Sequence, residues 1–203
     1  MSARFELSGN FAIGGLTHHV LMGVDAYTYD LFTLLARQRI TDGSCTLNIH
    51  DPVYGQVAPE PPTMYANDEN QKGFGVYLQD QIDIATDWRL LLGLRYDDYS
   101  QKTNELVSVA FTQSSDSRVS PRIALSYLLF DELSLYSSYS EGFLPISGTD
   151  YQSRGFDPEE SDSIELGFKW RASGFTLNGA FFDASKTNIL TTDPEHRVNS
   201  LLI

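Results

Sequence analysis

The chain is 203 residues long, 41% hydrophobic and 12% aromatic, with 14 basic against 27 acidic side chains and a net charge of −13. That balance offers no basic patch for a nucleic acid, and without a run of about 18 apolar residues a transmembrane helix is excluded. A single cysteine, Cys45, excludes an internal disulfide and a thiolate metal cluster. Barrel strands carry their apolar residues at every second position, so the same composition fits an aromatic-rich soluble β-protein or a membrane wall built of strands.

The amino-terminal MSARFELSGNFAIGG has no apolar signal-peptide core and reads as strand. Phe5, Leu7, Phe11 and Ile13 alternate with Glu6, Ser8, Asn10 and Ala12, and Gly14-Gly15 turns the chain. A second arm runs from about His18 to Phe32, with Val20, Met22, Val24 and Ala26 on one face. Residues 33–72 read as a long polar, proline-bearing loop, a length that marks function or mobility. From Gly73 to Ala85, Phe74, Val76, Leu78, Ile82 and Ile84 oppose Tyr77, Gln79, Gln81 and Asp83, while Asp80 places a charge on the apolar register. After a turn at 86–88, Leu90, Leu92, Leu94 and Tyr96 alternate with Arg89, Gly93, Arg95 and Asp97. Residues 101–117 are polar and read as a second outer loop, although Leu106, Val109 and Phe111 point to strand continuing past any membrane.

Residues 118–143 form the clearest hairpin. Ile123, Leu125 and Tyr127 alternate with Arg122, Ala124 and Ser126, and Leu133, Leu135 and Tyr139 with Ser134, Tyr136 and Ser138, about a turn at 130–132. A third long loop spans 144–160. Ile164, Leu166, Phe168 and Trp170 then alternate with Ser163, Glu165, Gly167 and Lys169, and a turn at 172–174 leads into a last arm bearing Phe175, Leu177 and Phe181.

Eight arms of roughly 10–14 residues thus pair through short turns at one end and long loops at the other, against about 5–6 residues for an ordinary strand and about 9–11 to cross a bilayer. Trp88, Phe130, Trp170 and Phe175 sit at the short-turn end, where an interfacial aromatic girdle belongs. The fold class expected is all-β, an antiparallel transmembrane β-barrel. Both ends of the chain read as cut within a longer protein. A self-contained eight-stranded structural or adhesion barrel is the alternative of another class.

An ordered set of motifs resembles the barrel of TonB-dependent outer-membrane receptors, the ferric-siderophore type in particular. They are Asp51-Pro52-Val53-Tyr54-Gly55; GVYLQDQ from Gly75 to Gln81, with Leu92 to Asp97; Ser120-Pro121-Arg122 with Leu135 to Phe143; Phe156 to Glu159; Glu165 to Lys169; and Lys186-Thr187-Asn188. The resemblance implies that residues 1–203 are about eight strands of a 22-stranded barrel whose plug domain is missing, with the short turns in the periplasm. It implies a Gram-negative outer-membrane receptor for ferric siderophores, energised through TonB by way of that plug and surrounded by outer-membrane lipid and lipopolysaccharide. A receptor of the same family for cobalamin or a saccharide is the alternative cargo reading.

No enzyme constellation is present in the sequence: the histidines show no HExxH spacing, adjacent His18 and His19 point to opposite faces of a strand, and Gly73-Phe74-Gly75 lacks the third glycine of a dinucleotide loop. No catalytic residue, metal site or resident cofactor is expected. Asp157, Glu159, Glu160 and Asp162 read as a solvated loop rather than a cation site. A siderophore already satisfies its iron, so its receptor needs aromatic surface and hydrogen-bond donors at a concave mouth. Tyr54, Tyr65, Tyr151 and Phe156, on the long-loop side, are the ligand-binding candidates. Arg95, Arg122 and Lys169 are expected on the lumen face, paired with Asp97 and Glu165 of neighbouring strands in preference to a plug.

Overall fold

The computed structural model describes residues 1–38, 47–55, 60–150, 152, 154–191 and 194. They form one antiparallel sheet in sequence order: β1 (Ser2–Ile13), β2 (Leu16–Ala36), β3 (Thr63–Ala85), β4 (Trp88–Glu105), β5 (Ala110–Phe130), β6 (Leu133–Leu144), β7 (Glu159–Ala172) and β8 (Phe175–Thr187). Each strand pairs with the next, and β1 and β8 each have one neighbour. The eight strands therefore do not close on one another, against the self-contained barrel.

Four two-residue turns join the strands at one end: Gly14-Gly15, Thr86-Asp87, Asp131-Glu132 and Ser173-Gly174. Gly14 and Gly15 have φ of 61° and 83°, the double left-handed step of a tight hairpin that matches strand twist and suits glycine. Trp88 stacks on Tyr127 at 4.4 Å between centroids, and Trp170 meets Phe175 edge-on at 5.3 Å, so aromatic pairs line this end.

Register sorts the side chains. Met22, Leu78, Leu94 and Pro121 lie opposite one another in successive strands, as do Val24, Val76, Tyr96 and Val119. On the other face the row Gly23, Tyr77, Arg95 and Ser120 is glycine and polar or charged. Apart from glycines and Pro158, only Ala66 and Tyr99 among the described apolar residues are buried, whereas Leu78, Leu94, Leu166 and Phe181 lie exposed. A soluble sandwich would bury one face against a second layer. Here the apolar row is the outward face of a wall and the polar row its inward face.

Two expected loops are corrected. In place of a loop over 33–72, β2 runs to Ala36 and β3 begins at Thr63; in place of a loop over 101–117, β4 and β5 meet through four residues, Leu106–Val109, with Val109 at φ 57°. The reason is physical. Asn67–Lys72 and Gln101–Asn104 are polar on both faces, so they carry no hydrophobic alternation, yet their backbones continue the ladder out to Asn67↔Glu105. The third segment lies at 145–158, between β6 and β7.

Asp80 also gains an explanation. Its carboxylate takes the His18 Nδ1 at 2.6 Å, and His18 stacks on Phe11 at 5.7 Å, so the charge on the apolar register is partnered by an imidazole three residues past the turn. His19, on the inward face, joins Asn10 (3.0 Å) to Asp83 (3.1 Å), and Asp83 also takes Arg89 at 3.1 Å.

Leu78→Arg, on the outward face, is expected to weaken barrel assembly of the intact protein by about 2–4 kcal/mol, the cost of an arginine at mid-bilayer. Gln79→Arg, one residue along and inward, is expected to cost little. The fraction showing heat-modifiable electrophoretic mobility measures both.

Candidate functional site

The inward face has two zones. In the first, the wall settles its own charges. Arg95 from β4 spreads its guanidinium between Asp25 (Nη1 and Nη2, both 2.9 Å) and Asp97 (Nε 2.8 Å, Nη2 2.7 Å). This fork is bidentate on both sides. It lies flat because position 75 is glycine: a Cβ there would sit 2.1 Å from Nη2. The Tyr77 ring packs against the same guanidinium at 5.5 Å, and its hydroxyl donates to Glu6. A Cβ on Gly23 would meet that ring at 2.5 Å. The pattern recurs on β6–β7, where Tyr136 lies across Gly167, donates to Glu165 and carries Lys169 over its ring at 5.4 Å.

The expected wall pairs are therefore formed in part. Arg95 pairs with Asp97 as anticipated, and with Asp25 besides. Lys169 rests on Tyr136 instead of pairing with Glu165, whose carboxylate is taken by the tyrosine hydroxyl. For Arg122 no carboxylate within ion-pair distance is present among the described residues.

The second zone is at the long-loop end. Pairing of β5 with β6 stops at Arg122↔Ser140, beside Pro121, which has no N–H to give. Beyond that point β5 stays with β4 while β6 stays with β7 as far as Leu144↔Glu159. The segment after β6 folds across the inward face of β3–β5. Phe143 packs on Tyr99 with centroids 5.8 Å apart, the Ser147 hydroxyl donates to Glu69 at 2.7 Å, and the Thr149 hydroxyl donates to Glu105 at 2.9 Å. The Gln101 amide, oriented to donate to the Ile146 carbonyl (3.3 Å), accepts the Gly148 N–H (3.2 Å). Gly155 lies so close to β5 that a Cβ would fall 2.9 Å from the Ser114 Cβ.

Under this segment lie the buried polar residues Asn67, Glu69, Gln101 and Thr103. Arg118 ties Glu141 (3.4 Å) to Glu160 (2.8 Å), and Lys186 pairs with Glu159. At the segment's tip the Asp150 carboxylate accepts the N–H groups of Gln152 (2.8 Å) and Arg154 (2.9 Å) and the Arg154 Nε (2.7 Å). Burial pulls the Asp150 carboxyl upward, but those N–H groups and the guanidinium charge outweigh it and hold the group below its usual value of 3.8.

Of the ligand candidates, Tyr65 stands on the inward face of β3, its hydroxyl accepting from Asn67 at 3.0 Å. Phe156 packs by Gly148 within the folded segment, its ring 3.5 Å from where a Cβ would stand. These two belong to the same end of the inward face. Tyr54 lies exposed on residues 47–55, and Tyr151 falls outside the described residues, as does Cys45. The sequence reading missed Glu69, Gln101, Thr103, Glu105, Ser147 and Thr149. The signal was a polar residue at every second position in 65–71 and 99–105, hidden because its opposite face is polar too.

The family model described as TonB dependent receptor-like, beta-barrel, matches residues 1–201. The metal-pseudopaline receptor CntO of Pseudomonas aeruginosa is 34% identical over 203 residues, covering 95% of this chain and 28% of that protein. The ferrioxamine B receptor of Salmonella typhimurium is 28% identical over 207 residues, covering 97% of this chain and 28% of the receptor. In fold, the chain is similar to the ferric-catecholate import receptor Fiu of Escherichia coli K12 in its closed form, with a TM-score of 0.73 at 18% identity over 91% of this chain and 31% of that one. The chain spans little more than a quarter of the length of the curated relatives it matches.

Two outcomes test the folded segment. Ser147→Ala is expected to speed amide exchange over 146–149 about tenfold, the scale of losing one hydrogen bond to a buried charge, while Lys102→Ala on the outward face leaves it unchanged. The Asp150 turn responds to pH in one direction. A carboxyl held low contributes stability above its unfolded value and loses it as pH falls through the lowered one. Protection of the Gln152 and Arg154 amides is expected to stay flat from neutral pH to about pH 5 and to drop only below 3.8.

Proposed function

The chain belongs to the TonB-dependent receptor-like β-barrel family, whose members are outer-membrane β-barrel receptors, and from that premise we propose that the intact protein takes up metal–siderophore chelates, ferric ones foremost. The observation that carries the reading is the likeness to receptors of metal chelates along nearly the whole chain, 34% identical over 95% of it for the pseudopaline receptor. The geometry supports it. A wall with an apolar outward face suits outer-membrane lipid and lipopolysaccharide, and a polar inward face suits a water-filled or protein-filled lumen.

In this reading the two-residue turns face the periplasm and the 145–158 segment faces the cell exterior. That segment, folded over the inward face, narrows the mouth and presents Phe156 there, beside Tyr65 of β3, with hydroxyl and amide donors. Tyr54 and Tyr151 complete the set of proposed ligand contacts. Such a surface holds an oxygen-rich chelate by stacking and hydrogen bonds, with the metal remaining in its own ligands. The chelate is cargo, and no resident cofactor is invoked. Inward movement draws on energy relayed through TonB, acting on a plug that fills the lumen.

The test uses the intact gene in a host lacking its own receptors. Under iron limitation, defined siderophores are expected to restore growth, and deletion of TonB to abolish the rescue while leaving surface binding of the labelled chelate intact. Rescue by cobalamin or a saccharide under the matching starvation, with none by any siderophore, would overturn the cargo assignment.

A further inference from the structure

A recess of about 470 Å³ opens on the outward face, at the end of the wall where the two-residue turns lie. Phe130, Glu132, Leu133, Leu135, Phe168 and Trp170 line it. An irregularity in strand pairing makes it. Leu128 stands opposite Ser134, but the next pair is Phe130 with Leu133, so Leu129 is an extra residue on β5. A bulge of this kind re-aims the side chain that follows it, and Phe130 comes out on the apolar face instead of following Leu128 inward. Register puts Leu133 beside Trp170 and Leu135 beside Phe168 on that face. The Trp170 ring, edge-on to Phe175 at 5.3 Å, is held on the β8 side. Phe130 and Trp170 thus form two rims, with Leu133, Leu135 and Phe168 as the floor. Further along β6 the outward residue is Ser137, the one small side chain in the row Leu90, Leu125, Ser137, Leu166 and Phe181, so the wall stays low along that strand.

Glu132 is the one charged residue in the lining. Its carbonyl accepts the Arg171 N–H at 2.7 Å, which ties the turn to β7, and Asp131 adds a second carboxylate to the same turn. Lys169 and Arg171 alternate with Trp170 and so take the inward parity, Lys169 over the Tyr136 ring. The recess therefore changes character along the strand, with a carboxylate at the turn and hydrocarbon deeper in. An acyl chain gains little by leaving the bilayer for such a floor, because lipid tails are as apolar as leucine. What separates one lipid from another here is the head. Beside two carboxylates a head of net negative charge is disfavoured. A primary ammonium is favoured, because it brings charge-assisted hydrogen bonds as well as charge, whereas a quaternary head has no N–H to give. With the turns facing the periplasm, the recess opens away from the lipopolysaccharide, and the amphiphile within reach is a phospholipid.

We propose that the outward recess between Phe130 and Trp170 seats one phospholipid whose head ends in a primary ammonium, with the head on Glu132 and one acyl chain along Leu133, Leu135 and Phe168. This is a discrete site, distinct from the general contact of the apolar wall with lipid. It rests on the receptor reading above, which sets the wall in the outer membrane with this end toward the periplasm.

The experiment places the complete receptor in bilayer discs of phosphatidylethanolamine and phosphatidylglycerol in equal amounts and counts the lipids it retains on release by native mass spectrometry. Wild type is expected to keep the ethanolamine lipid over the glycerol lipid about fivefold, the upper range for one exposed ion pair. Glu132→Gln is expected to bring the ratio towards one and Glu132→Lys to reverse it. Asp87→Asn, which removes a carboxylate from another turn at the same end, is expected to leave it unchanged. A wild type without preference overturns the proposal. So does an equal effect of Asp87→Asn, which assigns the preference to the general charge of this end. If the Glu132 variants do not assemble, wild type is cross-linked to an ethanolamine lipid carrying a diazirine in its acyl chain. Cross-links concentrated in 130–135 and 168–170 are the expected result, and cross-links spread evenly over the outward positions of β1 to β8 overturn the proposal. A protein that does not enter the discs as a heat-modifiable barrel sinks the receptor reading, whereas a barrel that enters without headgroup preference sinks the recess alone.

Discussion

The structure depends on the ladder of backbone hydrogen bonds between neighbouring strands. A wall that meets hydrocarbon has no water to satisfy stray N–H and C=O groups, so each strand must find both partners in the sheet. From the two-residue turns as far as Arg122↔Ser140 the register meets that demand for β2 to β7, apart from the irregularities at Asp83/Ala85 and Leu128/Phe130, and it sets which face each side chain takes. Parity along a strand becomes a choice of solvent: Leu78 goes outward and Tyr77 inward, and a one-residue slip would exchange them. The exceptions show how strong the rule is. Asp80 falls on the outward parity and is tolerated with His18 against it.

The same ladder explains where the site lies. A hydrogen-bonded sheet can end only where something else takes over its donors. At Pro121 and Arg122 the β5–β6 ladder stops, and the two strands follow different partners. The room so made on the inward face is filled by 145–158, whose hydroxyls and backbone groups meet Glu69, Gln101 and Glu105. Here four polar residues are buried together, because here alone among the described residues the sheet has a second layer over it. A local fault in strand pairing, set by one proline, thus becomes the platform that shapes the mouth.

What was legible in the sequence follows from which solvents each stretch meets. Between hydrocarbon and lumen the two faces differ, so alternation survives in plain residues such as Leu90, Leu92 and Leu94 against Arg89, Gly93 and Arg95, and the four tight turns were readable with it. Beyond the membrane both faces meet water, so Asn67 to Lys72 and Gln101 to Asn104 look like loop although their backbones are strand. The inward fold of 145–158 was illegible for a different reason. Its contacts are single hydroxyls and one amide, spaced by loop geometry rather than by any period. The resemblance of the motifs reached the family, and the family says nothing of which side chain meets which.

Part of the inward wall settles its own charge. Taking an arginine out of bulk water costs several kcal/mol unless its donors are met, and Asp25 and Asp97 meet them for Arg95 on both sides, with Gly75 clearing the space. Around Arg95 the surface is polar yet already paired, since its charge is answered by strand neighbours. The rest of the inward face is not matched in this way: Lys169 lies over the Tyr136 ring, and Arg122, exposed, stands opposite Gly93 and Ser140.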